Sequence, residues 1–324
     1  MLAVLLALAA AASLGGSDYT AGLAARKGGV LRVTVAAQAT SAVLLLSVIP
    51  FVSRQLPSAP TVAWGVAAGA SGVAGITLLT LGFRYAAFSL VSPVSAVAAA
   101  GFSVLAAFLL GERPGGLSLA GIALTVPAIV AVSAGGGRQA AADESHAAVA
   151  PTAPLSNAGP GGVGGPGGVG GPGAEGRRAV GAPGRHMAGV VCGLAAGAGF
   201  GGALICLNRA GSVTDLWPVG VAGLTAVILA VGMAALAGEL RLPPAGTRRL
   251  CLLTGVIAAT GSMSYFLATH RGLLAVTAVI YSLYPAGTIV LARVVSGEQL
   301  TAVRIGGLLL AAASVGLIAA GTAG

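Results

Sequence analysis

The sequence predicts an all-α membrane protein whose ten transmembrane helices form two inverted five-helix repeats. Three observations lead there. The chain of 324 residues is 56% hydrophobic and only 8% charged, with a mean hydropathy of +0.96, whereas a soluble domain carries roughly 25% charged residues. Its apolar residues fall into ten runs, most long enough to cross a hydrocarbon core of ~30 Å as a helix. The runs form two sets of five related by a constant offset of 186 positions.

The first-half runs cover roughly 2–25, 30–52, 61–83, 86–110 and 117–136. The opening one, "MLAVLLALAAAASLGG", has an alternative reading as a cleaved secretory signal. It lacks a basic start, and residues 1–16 match 187–202, which argues that it stays. The second and third are parted by "LPSAPT" (Leu56–Thr61), the fourth stops at "GER" (Gly111–Arg113), and the fifth runs out into a stretch of different composition. That stretch, 139–186, contains "GPGGVGGPGGVGGPG". It is too short and too poor in proline for collagen and reads as a flexible linker. The second-half runs cover roughly 187–208, 216–237, 250–269, 273–295 and 303–322.

The offset recurs throughout. Gly15 and Gly16 map onto Gly201 and Gly202, "LPSAPT" onto "LPPAGT" (Leu242–Thr247), Gly69 and Gly75 onto Gly255 and Gly261, and Gly121 onto Gly307. Gly111–Glu112 maps onto Gly297–Glu298 without a gap. The chain thus divides into repeats 1–138 and 187–324 joined by the linker 139–186. Five spans is an odd number and the linker holds none, so the second repeat enters the membrane inverted, as in many secondary transporters. Gly189, Gly193, Gly197 and Gly201 form a ridge on one helix face, with Ala3, Ala7, Ala11 and Gly15 as counterparts. Both ridges suit the close helix contact that replaces hydrophobic drive in lipid.

The "LLGERP" after the fourth span, its copy "VSGEQL" after the ninth, and "SLYP" (Ser282–Pro285) resemble the EamA-type family of the drug/metabolite transporter superfamily. The resemblance spans both repeats and omits only the linker. It departs at Ala99, which stands where Pro285 would map, and in the length of the linker. It implies a ten-helix carrier of small metabolites or drugs in the cytoplasmic membrane, with both termini inside.

Of eight acidic residues, only Asp18 lies well inside a run, about 10 Å from the run's end. An ionisable group there is a candidate for binding substrate or a coupling proton. The structural alternative is an ion pair with a neighbouring helix. The small multidrug members of the superfamily keep a carboxylate in their first helix for proton-coupled exchange, a likeness of role and rough position. Tyr19 adjoins Asp18, and Gln38 is a further polar residue in the second span. Pro93 and Pro285 interrupt the fourth and ninth runs six residues out of register, and interrupted spans point to a cavity, although proline kinks are also purely structural. Serines and tyrosines cluster nearby: Ser89 with Ser92, Tyr281 with Tyr284, Thr77 and Thr80 with Arg84, and Ser262 and Tyr265 with Thr269. The substrate-binding candidates are Asp18, Tyr19, Gln38, Thr77, Ser92, Pro93, Tyr265, Tyr281, Tyr284 and Pro285. Arg84 and His270 share a repeat position and read as snorkelling ends of spans. Glu112 and Glu298 read as carboxylates that satisfy a helix turn.

Cys192, Cys206 and Cys251 stand singly in apolar runs and read as small hydrophobes rather than ligands of a metal. No catalytic residue, metal or cofactor is expected. The net charge of +9 is distributed between spans, so it points to membrane orientation rather than nucleic acid. Of the 17 basic residues, four (Arg54, Arg113, Arg209 and Arg271) lie on the face that carries the termini, and thirteen on the other. The positive-inside rule therefore puts the termini outside, opposite to the family expectation. The leading function is a secondary exporter of small organic molecules working by alternating access, coupled to protons through Asp18. The alternative is a lipid flippase or scramblase. An enzyme is not expected, because one intramembrane carboxylate offers no acid–base pair.

Overall fold

The computed structural model describes residues 1–53, 56–82, 85–86, 88–134, 183–212, 214–297 and 300–322. Within them the chain is helical, with no strand: α1 Leu2–Gly28, α2 Val30–Val52, α3 Ala59–Gly82, α4 Phe88–Leu109, α5 Gly116–Ala134, α6 Pro183–Arg209, α7 Trp217–Leu236, α8 Ala245–Thr269, α9 Leu274–Tyr281, α10 Tyr284–Ser296 and α11 Ala302–Gly321. Together α9 and α10 make up the ninth span, so ten segments are long and apolar enough to cross a membrane. Side chains that would be stranded on a soluble surface, such as Phe51, Leu109, Leu236 and Leu309, are exposed here, as hydrocarbon requires.

The helices pack across the repeats rather than within them. In order of contact, α1 lies along α8, α8 along α2, α2 along α7, α7 along α3, α3 along α6, and α6 along α4. α4 meets the ninth span, and the ninth span returns to α1, which closes a ring. α5 and α11 pack along each other, and α5 leans on α4 and the ninth span. Between α5 and α11, Thr125 and Ser314 share a hydrogen bond of 2.6 Å, and Ser314 Oγ also reaches the Gly121 carbonyl.

Small residues set these approaches, and their partners obey the same offset of 186. Gly75 faces Ala196 and Phe200, while its counterpart Gly261 faces Ala10 and Leu14. Gly121 faces Ile318, while Gly307 faces its counterpart Val132. The ridge Gly189–Gly201 lies against α4 and the loop before it, touching Ala86, Val91, Ser95, Ala98 and Ala99. Its counterpart on α1 lies against the ninth span: a Cβ at Gly15 would sit 2.6 Å from the Thr288 nitrogen and 2.7 Å from the Tyr284 carbonyl.

Several details differ from the sequence reading. α1 continues to Gly28, three residues beyond the expected end, because Arg26 and Lys27 extend the helix past its apolar run. The turn into α2 is the single residue Gly29, at φ 79°, a conformation open to glycine. α4 runs unbroken through Pro93, whereas the ninth span breaks as expected. His270 does not snorkel: its ring packs on Phe266, 4.3 Å between centroids, and its nitrogens face the carbonyls of Phe266 and Ala210. Arg84, Glu298, the side chain of Ser89 and most of the linker (residues 139–182) lie outside the described residues.

Candidate functional site

The break in the ninth span follows from Pro285. Its ring nitrogen has no hydrogen to give the Tyr281 carbonyl, and its ring would crowd that oxygen in a continuous helix. α9 accordingly stops at Tyr281, and Pro285 becomes the second residue of α10. Ser282 and Leu283 bridge the gap with bonds to the carbonyls of Ala278 and Ile280. The interruption falls within a span that runs from Leu274 to Val295.

α1 brings Asp18 towards this break. Ala7, Ala11 and Gly15 lie on the face of α1 that meets the ninth span, and Asp18 continues that face one turn beyond Gly15. Since α1 extends to Gly28, Asp18 lies ten residues from the helix end, about 15 Å along the axis. The same face meets the start of α10, since a Cβ at Gly15 would sit 2.7 Å from the Tyr284 carbonyl. The flanking hydroxyls are engaged elsewhere. Ser17 donates to the Leu14 carbonyl at 2.9 Å, Thr20 to the Gly16 carbonyl at 3.0 Å, and Thr254 of α8 to Thr20 Oγ1 at 2.8 Å. The Asp18 carboxylate itself has no hydrogen-bond or ion-pair partner among the described residues, and the residue is exposed. An unpaired carboxylate inside a span is costly in hydrocarbon and is a functional candidate for that reason.

Towards the termini the ring is closed. Ala10, Ala107, Leu204, Tyr265, Leu274, Ala275 and Ala278 form one buried cluster drawn from α1, α4, α6, α8 and α9, with Tyr281 packed on it. Tyr265 belongs to this plug. It is 1% exposed, its hydroxyl donates to the Leu204 carbonyl at 3.3 Å, and its ring lies 4.8 Å from that of Tyr281. Asp18 stands two turns further along α1 than Ala10, beyond the plug. The arrangement is a buried cluster within the ring, with a carboxylate, two phenols and a helix break beyond it.

The structure therefore gathers Asp18, Tyr281, Tyr284 and Pro285, with Tyr265 beneath them. The other candidates lie apart. Gln38, half-buried, shares the α2 face of Ala42 and Leu45, which meets Gly223 of α7. Thr77 is exposed on α3, its hydroxyl bonded to the Val73 carbonyl at 2.7 Å. Ser92 is half-buried and Pro93 buried in the early turns of α4. Tyr19 is half-buried beside Asp18 on α1.

Two roles escaped the sequence. Glu112 does satisfy a helix turn, and the turn belongs to the other repeat: Leu274 N–H donates to Oε1 at 2.7 Å and Ala275 N–H to Oε2 at 3.0 Å. Gly111, at φ 89°, ends α4 and swings the acid towards α9. Ser95, the repeat counterpart of Tyr281, is buried with its hydroxyl unpartnered among the described residues. No signal in the sequence separates it from serines that bond their own helix.

No family model matches the chain, and no curated protein matches it. The crystal structure of another protein superposes with a TM-score of 0.69 over 98% of this chain and 98% of its own, at 14% identity. That likeness concerns the fold.

Proposed function

We propose that this multi-pass membrane protein is a secondary transporter of the EamA type that exports small organic molecules across the cytoplasmic membrane. The observation that supports the reading is the unpaired Asp18 set near a broken span, beyond a buried plug of side chains in the ring. Freed backbone polar groups at a helix break, with a carboxylate and two phenols beside them, suit a polar or cationic substrate group and its organic frame. The plug corresponds to one state of an alternating-access cycle, and opening it while closing the far side completes the cycle.

The moving units would not be the two sequence repeats, because these interlock. Splitting the ring where α2 meets α7 and α4 meets the ninth span gives units made of both repeats: α1, α2 and α8–α10 against α3, α4, α6 and α7.

The test compares metabolites inside and outside cells that express the native protein or Asp18→Asn. A compound that accumulates outside only with the native protein supports export through Asp18. Native export should vary with pH, and Asp18→Asn should flatten that dependence. Export by both forms at every pH would retire Asp18. Phospholipid transfer in liposomes without solute export would replace the reading with the lipid one.

A further inference from the structure

Two cavities lie in register along α1, the ninth span and α11. One, of about 410 Å³, is at the end that holds the termini and is lined by Val4, Arg113, Ser118, Arg271, Val276 and Thr322 among others. The other, of about 390 Å³, is lined by Leu8, Ala12, Leu283, Gly287, Leu308 and Val315 among others. Each element passes from the first to the second in step: from Val4 to Leu8, from Val276 to Leu283, and from Thr322 to Val315. Those steps of four to seven residues amount to roughly 6–10 Å of descent into the membrane.

The two cavities differ in chemistry. The outer one carries Arg113 and Arg271, both exposed, whose guanidinium groups have no partner among the described residues. The acid beside them, Glu112, has both oxygens engaged by the N–H groups of Leu274 and Ala275. Two like charges at one mouth repel unless an anion sits between them. The face holds only four basic residues in the whole sequence, and two of them meet here. The inner cavity is walled by aliphatic side chains, with Ala12, Ala286, Gly287, Ala311 and Ala312 leaving the space that larger residues would fill.

We infer that the two cavities hold one anionic phospholipid. Its phosphate would lie between Arg113 and Arg271, in the forked geometry guanidinium groups offer to phosphate. One acyl chain would run down the inner cavity to the level of the break at Leu283. A free phosphate would match the arginines and leave the apolar limb without purpose. The lipid would bridge α1, α11 and the loops before α5 and α9 at the sealed end of the ring. This inference does not depend on the transport reading.

The test is native mass spectrometry of the full-length protein from micelles containing equal amounts of palmitoyl-oleoyl phosphatidylglycerol and phosphatidylcholine. The native protein should retain phosphatidylglycerol preferentially. The double variant Arg113→Gln with Arg271→Gln should retain it roughly thirtyfold more weakly, the loss of two near-surface charges. Arg113→Lys with Arg271→Lys, which keeps the charges and loses the fork, should fall between the native protein and the Gln double, and Ala312→Leu, which fills the inner cavity, should reduce retention. A melting temperature shared by the Gln and Lys doubles separates lost binding from lost folding. Equal retention of the two lipids, or unchanged retention in the Gln double, overturns the proposal. Displacement by millimolar inorganic phosphate with no effect of Ala312→Leu overturns the lipid in favour of a free anion.

Discussion

α4 and the α9–α10 span hold matching places in the two repeats, and each contains one proline. Pro93 is the sixth residue of α4, where a missing N–H removes a single bond next to a turn whose donors are unpaired anyway. Pro285 is the twelfth residue of a 22-residue span, with complete helix on either side, so the loss falls where nothing else relaxes it. The neighbours reinforce the difference. α4 is pressed by a glycine ridge through Ala98 and Ala99, and the ninth span is met by Ala7 and Ala11 before α1 reaches Gly15. Close packing keeps one span straight, and the proline bends the other where α1 can offer a carboxylate. Two spans of common pattern thus differ in build: one is continuous and closely packed, and the other is broken at its centre.

The largest expected effect tests the stiff side. A Cβ at Gly197 would already meet Ala98, and would lie 2.9 Å from the Ala99 nitrogen. Gly197→Leu should therefore cost more than the ~1–3 kcal/mol of ordinary overpacking and abolish the monodisperse peak in size-exclusion chromatography. Native elution would show that the ridge does not hold α4.

Next comes the support of the broken side. Glu112→Ala leaves the first N–H groups of α9 without their acceptor and should cost about 1–2 kcal/mol in thermal unfolding. Amide exchange should quicken at 274–277 and stay unchanged in the early turns of α4. A loss spread evenly over both spans would mean that the cap is not local.

The prolines themselves sharpen the contrast. Pro285→Ala should let the ninth span heal, raising stability by up to ~3 kcal/mol while transport falls. Pro93→Ala should leave transport unchanged. Equal effects at the two sites would dissolve the distinction. The smallest effect belongs to Tyr281→Phe, which keeps the ring contact at 4.8 Å with Tyr265. Its stability should stay within ~0.5 kcal/mol, and its apparent substrate affinity should weaken without loss of maximal rate.

The ten spans were legible because hydrocarbon demands long apolar runs, and Asp18 was legible because it is the lone acid deep inside one. The glycine offset foretold which surfaces pack, since close approach in lipid needs small residues. It did not reveal which helix each ridge meets. All sides of these helices are apolar, so no periodic pattern points to a neighbour, and the interlocking of the repeats stayed hidden. Pro93 and Pro285 carried the same signal, and only their distances from a helix end separate them. Arg113 and Arg271 looked like scattered loop charges because 158 residues part them, and only the corner built by Gly111 and Glu112 brings them to one cavity.

Glu112 is joined to α9 across 162 positions of chain. During synthesis that acid reaches the bilayer long before the backbone it serves has been translated. The same holds for α1, which waits for α8, and for α3, which waits for α6. The newly inserted first repeat is therefore an unfinished object, its tightest surfaces covered by lipid until the second repeat arrives to displace it. Two separately expressed halves should each be degraded when made alone and survive when made together.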